Sequence, residues 1–334
     1  MADETKNVPP EEQEEEKTTF KGFIMGLLAF TVVILIGVIL VNTALVNLGL
    51  KDPKHGIVNQ FLAILPFGHE EEVEEAPTFI ETEANTALYQ NTGSFGVFLG
   101  IDGTQAARAS GYDLVVIDAQ AFSAEDIAGL KANGATVLSY LNIGALEQWR
   151  PYYEEMSTYS LGSMEGWPDE VWMDVSNPDW QSYVANTLAS QLCEKGIDGF
   201  FVDNSDVYAQ YPTDEMYTGL LNIMNGLQNY NMPIILNGGN SFVSRGLSTG
   251  ELTYLIEAVC QESVFTSYDP YKGYSFQSNA NTEAYKDYLQ SCADQNLLIY
   301  IIEYAPDPDT EAMILGYCRG HNFQYYIADS INLN

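Results

Sequence analysis

Gly196-Ile197-Asp198-Gly199-Phe200-Phe201-Val202-Asp203-Asn204-Ser205-Asp206 is the stretch whose reading decides the fold. Its apolar run, residues 199–202, is too short for a helix and is bounded by turn residues. It therefore reads as a strand buried on both faces. The run stops abruptly at Asp203, with Asn204 and Asp206 close behind. In α/β barrels and open α/β sheets, polar groups at the C-terminal ends of strands are where chemistry is carried. On this stretch alone Asp203 serves equally well as a cap for the helix that follows. The same pattern recurs along the chain, and the recurrence favours chemistry.

Working outward, strand-like runs fall at residues 95–100, 114–119, 136–144, 171–176, 199–204, 233–239, 256–262, 297–305 and 323–329. Amphipathic helical stretches lie between them at 124–133, 178–195, 214–231, 282–295 and 309–321. Asn177 and Pro178 open one of these as cap and first residue. Such alternation predicts an α/β fold with a parallel sheet, and about 240 residues suit a (β/α)8 barrel. Nine runs are one too many. The run 171–176 has no clear helix before it and follows a long aromatic insertion, residues 145–170, so it is assigned as an accessory strand. Residues 199–204 then form the fourth barrel strand and 256–262 the sixth.

Asp118, Asn142, Asp203, Asn237, Glu262, Glu303 and Asp329 each close a barrel strand. Burying unpaired carboxylates is costly, so a ring of them implies a wet cavity of substrate size. Two or three of these residues are also plausible helix caps. Two carboxylates facing one cavity point first to glycoside hydrolysis. No metal or cofactor is implied: His55, His69 and His321 are the three histidines, and two precede the barrel. The chain has no phosphate loop, dinucleotide fingerprint or Gly-x-Ser-x-Gly elbow. Trp149, Trp167, Trp172 and Trp180 cluster with Tyr152, Tyr153 and Tyr159, which suits sugar stacking; Trp180, on a helix, reads as core. Cys193, Cys260, Cys292 and Cys318 lack metal-site spacing, and Cys292 and Cys318 are placed to pair if the domain is extracytoplasmic.

Thirteen basic against 46 acidic residues give a formal net charge of −33, spread along the whole chain. Phosphate backbones would be repelled, so nucleic acid is not an expected partner. Residues 1–21 form a polar tail rich in glutamate that cannot bury a core, a candidate surface for a protein partner. Residues 22–50 carry no charge, and 23–41 are almost wholly apolar, enough to span a bilayer as an uncleaved anchor helix. Residues 51–92 read as a linker, in which 57–67 suits the membrane surface. Lys6, Lys17 and Lys21 precede the span and Lys51 and Lys54 follow it. That bias predicts a cytoplasmic N-terminus and an extracytoplasmic barrel.

Over residues 94–334 the chain resembles glycoside hydrolase family 114, the endo-α-1,4-polygalactosaminidase-like barrels. The motifs are Leu138-Ser139-Tyr140-Leu141-Asn142-Ile143-Gly144 with Glu147 and Arg150, and Trp172-Met173-Asp174-Val175-Ser176 with Trp180. Gly199 to Asp206, Gln261-Glu262 with Phe265, and Glu303-Tyr304-Ala305 complete the set. The resemblance implies a (β/α)8 barrel, a galactosamine-rich polysaccharide as substrate, and Asp203 and Glu262 as the catalytic pair. Fold-level analogy to retaining α-glycosidase barrels makes Asp203 the nucleophile and Glu262 the acid/base. Asp118, Asn142, Asn237, Glu303 and Tyr304 would position the sugar. Tyr140, Glu147, Trp149, Arg150, Trp172, Asn204, Asp206 and Gln261 complete the expected substrate contacts. Ala145 stands where the family usually has an acidic residue after Ile143-Gly144. A barrel that binds glycan without turnover is therefore the alternative reading.

Overall fold

The structure is a computed structural model that describes residues 93–269 and 271–334. The acidic tail (1–21), the anchor (22–50) and the linker (51–92) lie outside the described residues. Among the described residues no helix is long and apolar enough to cross a membrane.

Eight parallel strands form one sheet: β1 (Phe95–Phe98), β2 (Leu114–Ile117), β3 (Thr136–Asn142), β4 (Gly199–Asp203), β5 (Ile234–Asn237), β6 (Ala258–Glu262), β7 (Leu298–Tyr304) and β8 (Gln324–Ala328). They are hydrogen-bonded in chain order. β8 returns beside β1, where the Tyr326 ring meets Phe95 and Phe98 at centroid distances of 6.4 and 5.7 Å. The sheet is thus a nearly closed (β/α)8 barrel.

Side chains alternate across a strand, and here both faces are buried. Val97, Val116, Leu138, Phe201, Ile235, Cys260 and Ile302 belong to the cluster that fills the barrel interior. Val115, Val137, Phe200, Leu236, Val259 and Ile301 face outward into a second cluster with the helices. Each strand therefore reads as an unbroken apolar run. Helix Asp214–Gln228 shows how the outer layer is built. Thr213 caps it by accepting from the Met216 N–H, and Met216, Leu220, Ile223, Met224 and Leu227 bury one stripe.

The assigned accessory strand does lie outside the barrel. Trp167–Met173 pairs antiparallel with Ala145–Glu147 and with Ser160–Met164, so the aromatic insertion is a small three-stranded sheet. Four features differ from the sequence reading. Helix Asn240–Thr249 is absent from that reading, and the connection after β1 is a 3-10 turn, Gly103–Ala109. Residues 266–276, to which the sequence assigns no element, form a hairpin of Thr266–Asp269 with Gly273–Phe276. Cys292 and Cys318 do not pair: all four cysteines are free, and these two are buried among apolar side chains of the outer layer.

Glu257, at the floor of the barrel just before β6, is 3% exposed and accepts one hydrogen bond, from the Ile234 N–H at 2.7 Å. Burial pushes its carboxyl up to about 7. A raised carboxyl favours the folded state while it stays protonated, and that contribution is lost as pH rises through the folded value. Glu257→Gln should therefore flatten the fall in stability between about pH 5 and 8, by up to about 3 kcal/mol. Chemical denaturation at several pH values checks this; an unchanged slope would mean that Glu257 is solvated.

Candidate active site

Extending the inward row of each strand by two residues fixes what faces the top of the barrel. Phe201 leads to Asp203, Ile235 to Asn237, Cys260 to Glu262 and Ile302 to Tyr304. These four side chains meet. The Asn237 amide donates to Asp203 Oδ1 at 3.0 Å and to Glu262 Oε1 at 2.7 Å. The Tyr304 hydroxyl donates to Glu262 Oε2. The facing oxygens of the two carboxylates are therefore no farther apart than the two Asn237 bonds laid end to end. Above them opens a cavity of about 910 Å³, the scale of a small-molecule binding site.

The backbone turns sharply just beyond each of these residues. Asn204 (φ 65°), Gly238 (φ 64°), Ser263 (φ 57°) and Ala305 (φ 42°) are all left-handed. Only glycine adopts that region without cost, and Ala305 has neither glycine's freedom nor a polar side chain. Three non-glycine residues held there, each following a site residue, mark the strand ends as strained to aim those side chains. The wall packs closely: a Cβ on Gly144 would lie 1.8 Å from the Asn204 carbonyl oxygen.

Burial is the main force on Asp203, and it pushes the carboxyl well above its usual range; the charge of Glu262 adds to this. The Asn237 amide and the Asn204 N–H oppose the shift. The bonds are present, but burial outweighs them. Asp206, which accepts from the Gly239 N–H at 3.0 Å, is also raised by burial.

On the β2–β3 side Arg150 ties the insertion to the barrel. Its guanidinium donates to Asp118 at 2.6 Å and to Glu147 at 2.8 Å, and it lies 5.9 Å from the Tyr140 ring centre. Lys195 donates to the carbonyls of Ala119, Gln120 and Phe122, pinning the turn after Asp118. Asp118, Tyr140, Glu147, Trp149, Arg150, Asn204, Asp206, Asn237, Gln261 and Tyr304 all line the cavity with Asp203 and Glu262.

Three expected contacts do not line it. Glu303 is fully buried on the outward face of β7, where it accepts from the Phe265 and Thr266 N–H groups and the Thr266 hydroxyl. It braces the loop after β6. Asn142 faces Asp203 in register, but its oxygen accepts from the Ala145 N–H at 2.8 Å. Trp172 packs into the outer core, as do Ala145 and Trp180; the Trp180 indole N–H donates to the Ile143 carbonyl. Trp167, read from the sequence as part of a sugar-stacking cluster, does line the cavity, whereas sequence reading missed Glu170 and Tyr268 there. The alternation around Tyr268, ending in Lys272-Gly273, was a readable hairpin signal.

Among solved structures, the glycoside hydrolase domain of PelA from Pseudomonas aeruginosa is 20% identical. The match has a TM-score of 0.61 and covers 72% of this chain and 95% of that one. Ega3 of Aspergillus fumigatus, solved in complex with galactosamine, is 18% identical with a TM-score of 0.57, over 73% and 93% of the two chains. At these identities the likeness is one of fold. A dextranase of Streptococcus salivarius is 32% identical over 103 residues, 26% of this chain, and the chain spans only 12% of that protein's length. The model of glycoside-hydrolase family GH114 matches residues 76–330, which include every strand of the barrel and both carboxylates at its mouth. The chain belongs to glycoside-hydrolase family GH114.

Proposed function

We propose that this glycoside hydrolase cleaves an α-linked polysaccharide containing amino sugars, using Asp203 and Glu262 with retention of configuration. One observation carries the mechanism: the Asn237 amide bridges the two carboxylates. Carboxylates in retaining enzymes stand about 5–5.5 Å apart and those in inverting enzymes about 6.5–9.5 Å. Facing oxygens that share one Asn237 amide support the shorter, retaining spacing. The Asp203 carboxylate attacks the anomeric carbon while Glu262 gives its proton to the departing glycosidic oxygen. The Glu262 carboxylate then takes a proton from water, and the hydroxide oxygen displaces Asp203. The raised carboxyl of Asp203 supports a second reading, with the roles exchanged and Asp203 as the acid.

Amino sugar is favoured as substrate because acidic groups dominate the cavity and the whole chain, so a cationic polymer is drawn to it. Trp149 and Trp167, 62% and 49% exposed, offer ring faces along the wall. In this proposal residues 22–50 anchor the enzyme and the lysine bias leaves the barrel outside the cytoplasm. Intact cells carrying the full chain are expected to release reducing ends from an added α-1,4-linked galactosamine oligomer. Activity appearing only after lysis would reverse the orientation. Binding without turnover in intact and lysed cells would replace the hydrolase with a glycan-binding barrel.

A further inference from the structure

Away from the bridged pair, the cavity wall holds a second set of carboxylates. Glu147 and Glu170 lie directly opposite each other on antiparallel strands of the small sheet. Like charges in that position repel, yet Glu147 is 2% exposed and Glu170 9%. Arg150 is the one cation against them among the described residues, and it is shared with Asp118. Glu147 Oε2 has no hydrogen-bond partner. The Glu170 side chain, more than nine-tenths buried, makes no hydrogen bond or ion pair with any described residue. Both side chains line the cavity beside Trp149 and Trp167.

A buried carboxylate oxygen without a partner is expensive, as at Glu147 Oε2, and the unbonded Glu170 carboxylate facing it across the cavity wall leaves room for a second positive donor beside Arg150. We infer that Glu147 and Glu170 form a subsite for the ammonium group of a hexosamine unit of the substrate, apart from the unit held over Asp203 and Glu262. An ammonium has three N–H donors and no acceptor, matching free oxygens on two carboxylates. A metal ion fits poorly: among the described residues no group of three or more acidic, histidine or cysteine side chains is arranged to hold one, and the Arg150 guanidinium already occupies one side. A neutral acetamido group would leave the charge unanswered. Burial, then the charge of Glu147, hold the Glu170 carboxyl up at about 7, with Arg150 opposing and Asp169 adding slightly. An arriving ammonium would ionise it. Tyr140 lines the same cavity, close enough to feel the charges of Glu147, Glu170 and Asp203.

The inference rests on the proposed reading of an amino-sugar substrate. Its test is calorimetric titration of the full chain with an α-1,4-linked galactosamine tetramer and with its fully N-acetylated counterpart, in an Asp203→Asn background so that neither is consumed. The free-amine tetramer should bind at least about tenfold more tightly, as one charge-assisted pair warrants. Glu170→Gln should remove most of that preference, weakening the free-amine ligand about tenfold and the acetylated one little. Equal weakening of both ligands, or of neither, would overturn the subsite. So would the absence of any preference before Glu170 is changed, a comparison that needs no variant at that position. Turnover by the chain with Asp203 intact is read separately. A preference lost with Glu170 in a chain that hydrolyses nothing would sink the hydrolase and leave the subsite standing.

Discussion

Asp203→Asn is expected to slow hydrolysis of a galactosamine oligomer by about 10⁴-fold or more, the usual consequence of removing a covalent nucleophile. The variant should fold and bind sugar as before. Asparagine has the same shape, and its oxygen still accepts from the Asn237 amide at the position now 3.0 Å away. Burial and the Glu262 charge both disfavour an ionised Asp203, so removing that charge should leave the melting temperature at or above the parent's. Loss of turnover together with a lower melting temperature would point to a structural role instead. Steady-state rates and thermal melts on the same preparation separate the two outcomes.

Glu262→Gln should act differently, because an acid helps only where the leaving oxygen needs a proton. On natural linkages the loss should be about 10²–10⁴-fold, the range for general acid help. With an activated aryl galactosaminide the first step needs no proton, so a burst of aryl release should survive. Turnover should then stall, since the amide that replaces the Glu262 carboxylate cannot take a proton from the incoming water. If the roles are exchanged, the pattern inverts: Glu262→Gln loses the burst, and Asp203→Asn keeps it.

Much of the barrel was readable because a parallel strand covered on both faces is a short apolar run that ends on a polar residue. Residues 171–176 can be told from a barrel strand in the sequence, since a parallel strand needs a crossover before it and none precedes them. Glu303 shows what such reading lacks. It and Tyr304 were both assigned to the cavity, yet side chains alternate, so neighbours on one strand cannot both face inward. The interior row Tyr300, Ile302, Tyr304 settles which one does. Glu170 was invisible for another reason: its meaning depends on facing Glu147, and an antiparallel register across a long insertion leaves no trace in local pattern. The lift in Asp203 is illegible in the sequence for a related reason: burial, its main cause, depends on the whole barrel closing around the group.

In the proposed mechanism Asp203 carries the sugar between the two halves of the reaction. The most direct measurement is peptide mapping by mass spectrometry of the Glu262→Gln chain, quenched just after the burst from an aryl galactosaminide. The expected result is one sugar in ester linkage on the peptide containing Asp203. Aryl release with no adduct, or an adduct on a different residue, would contradict it.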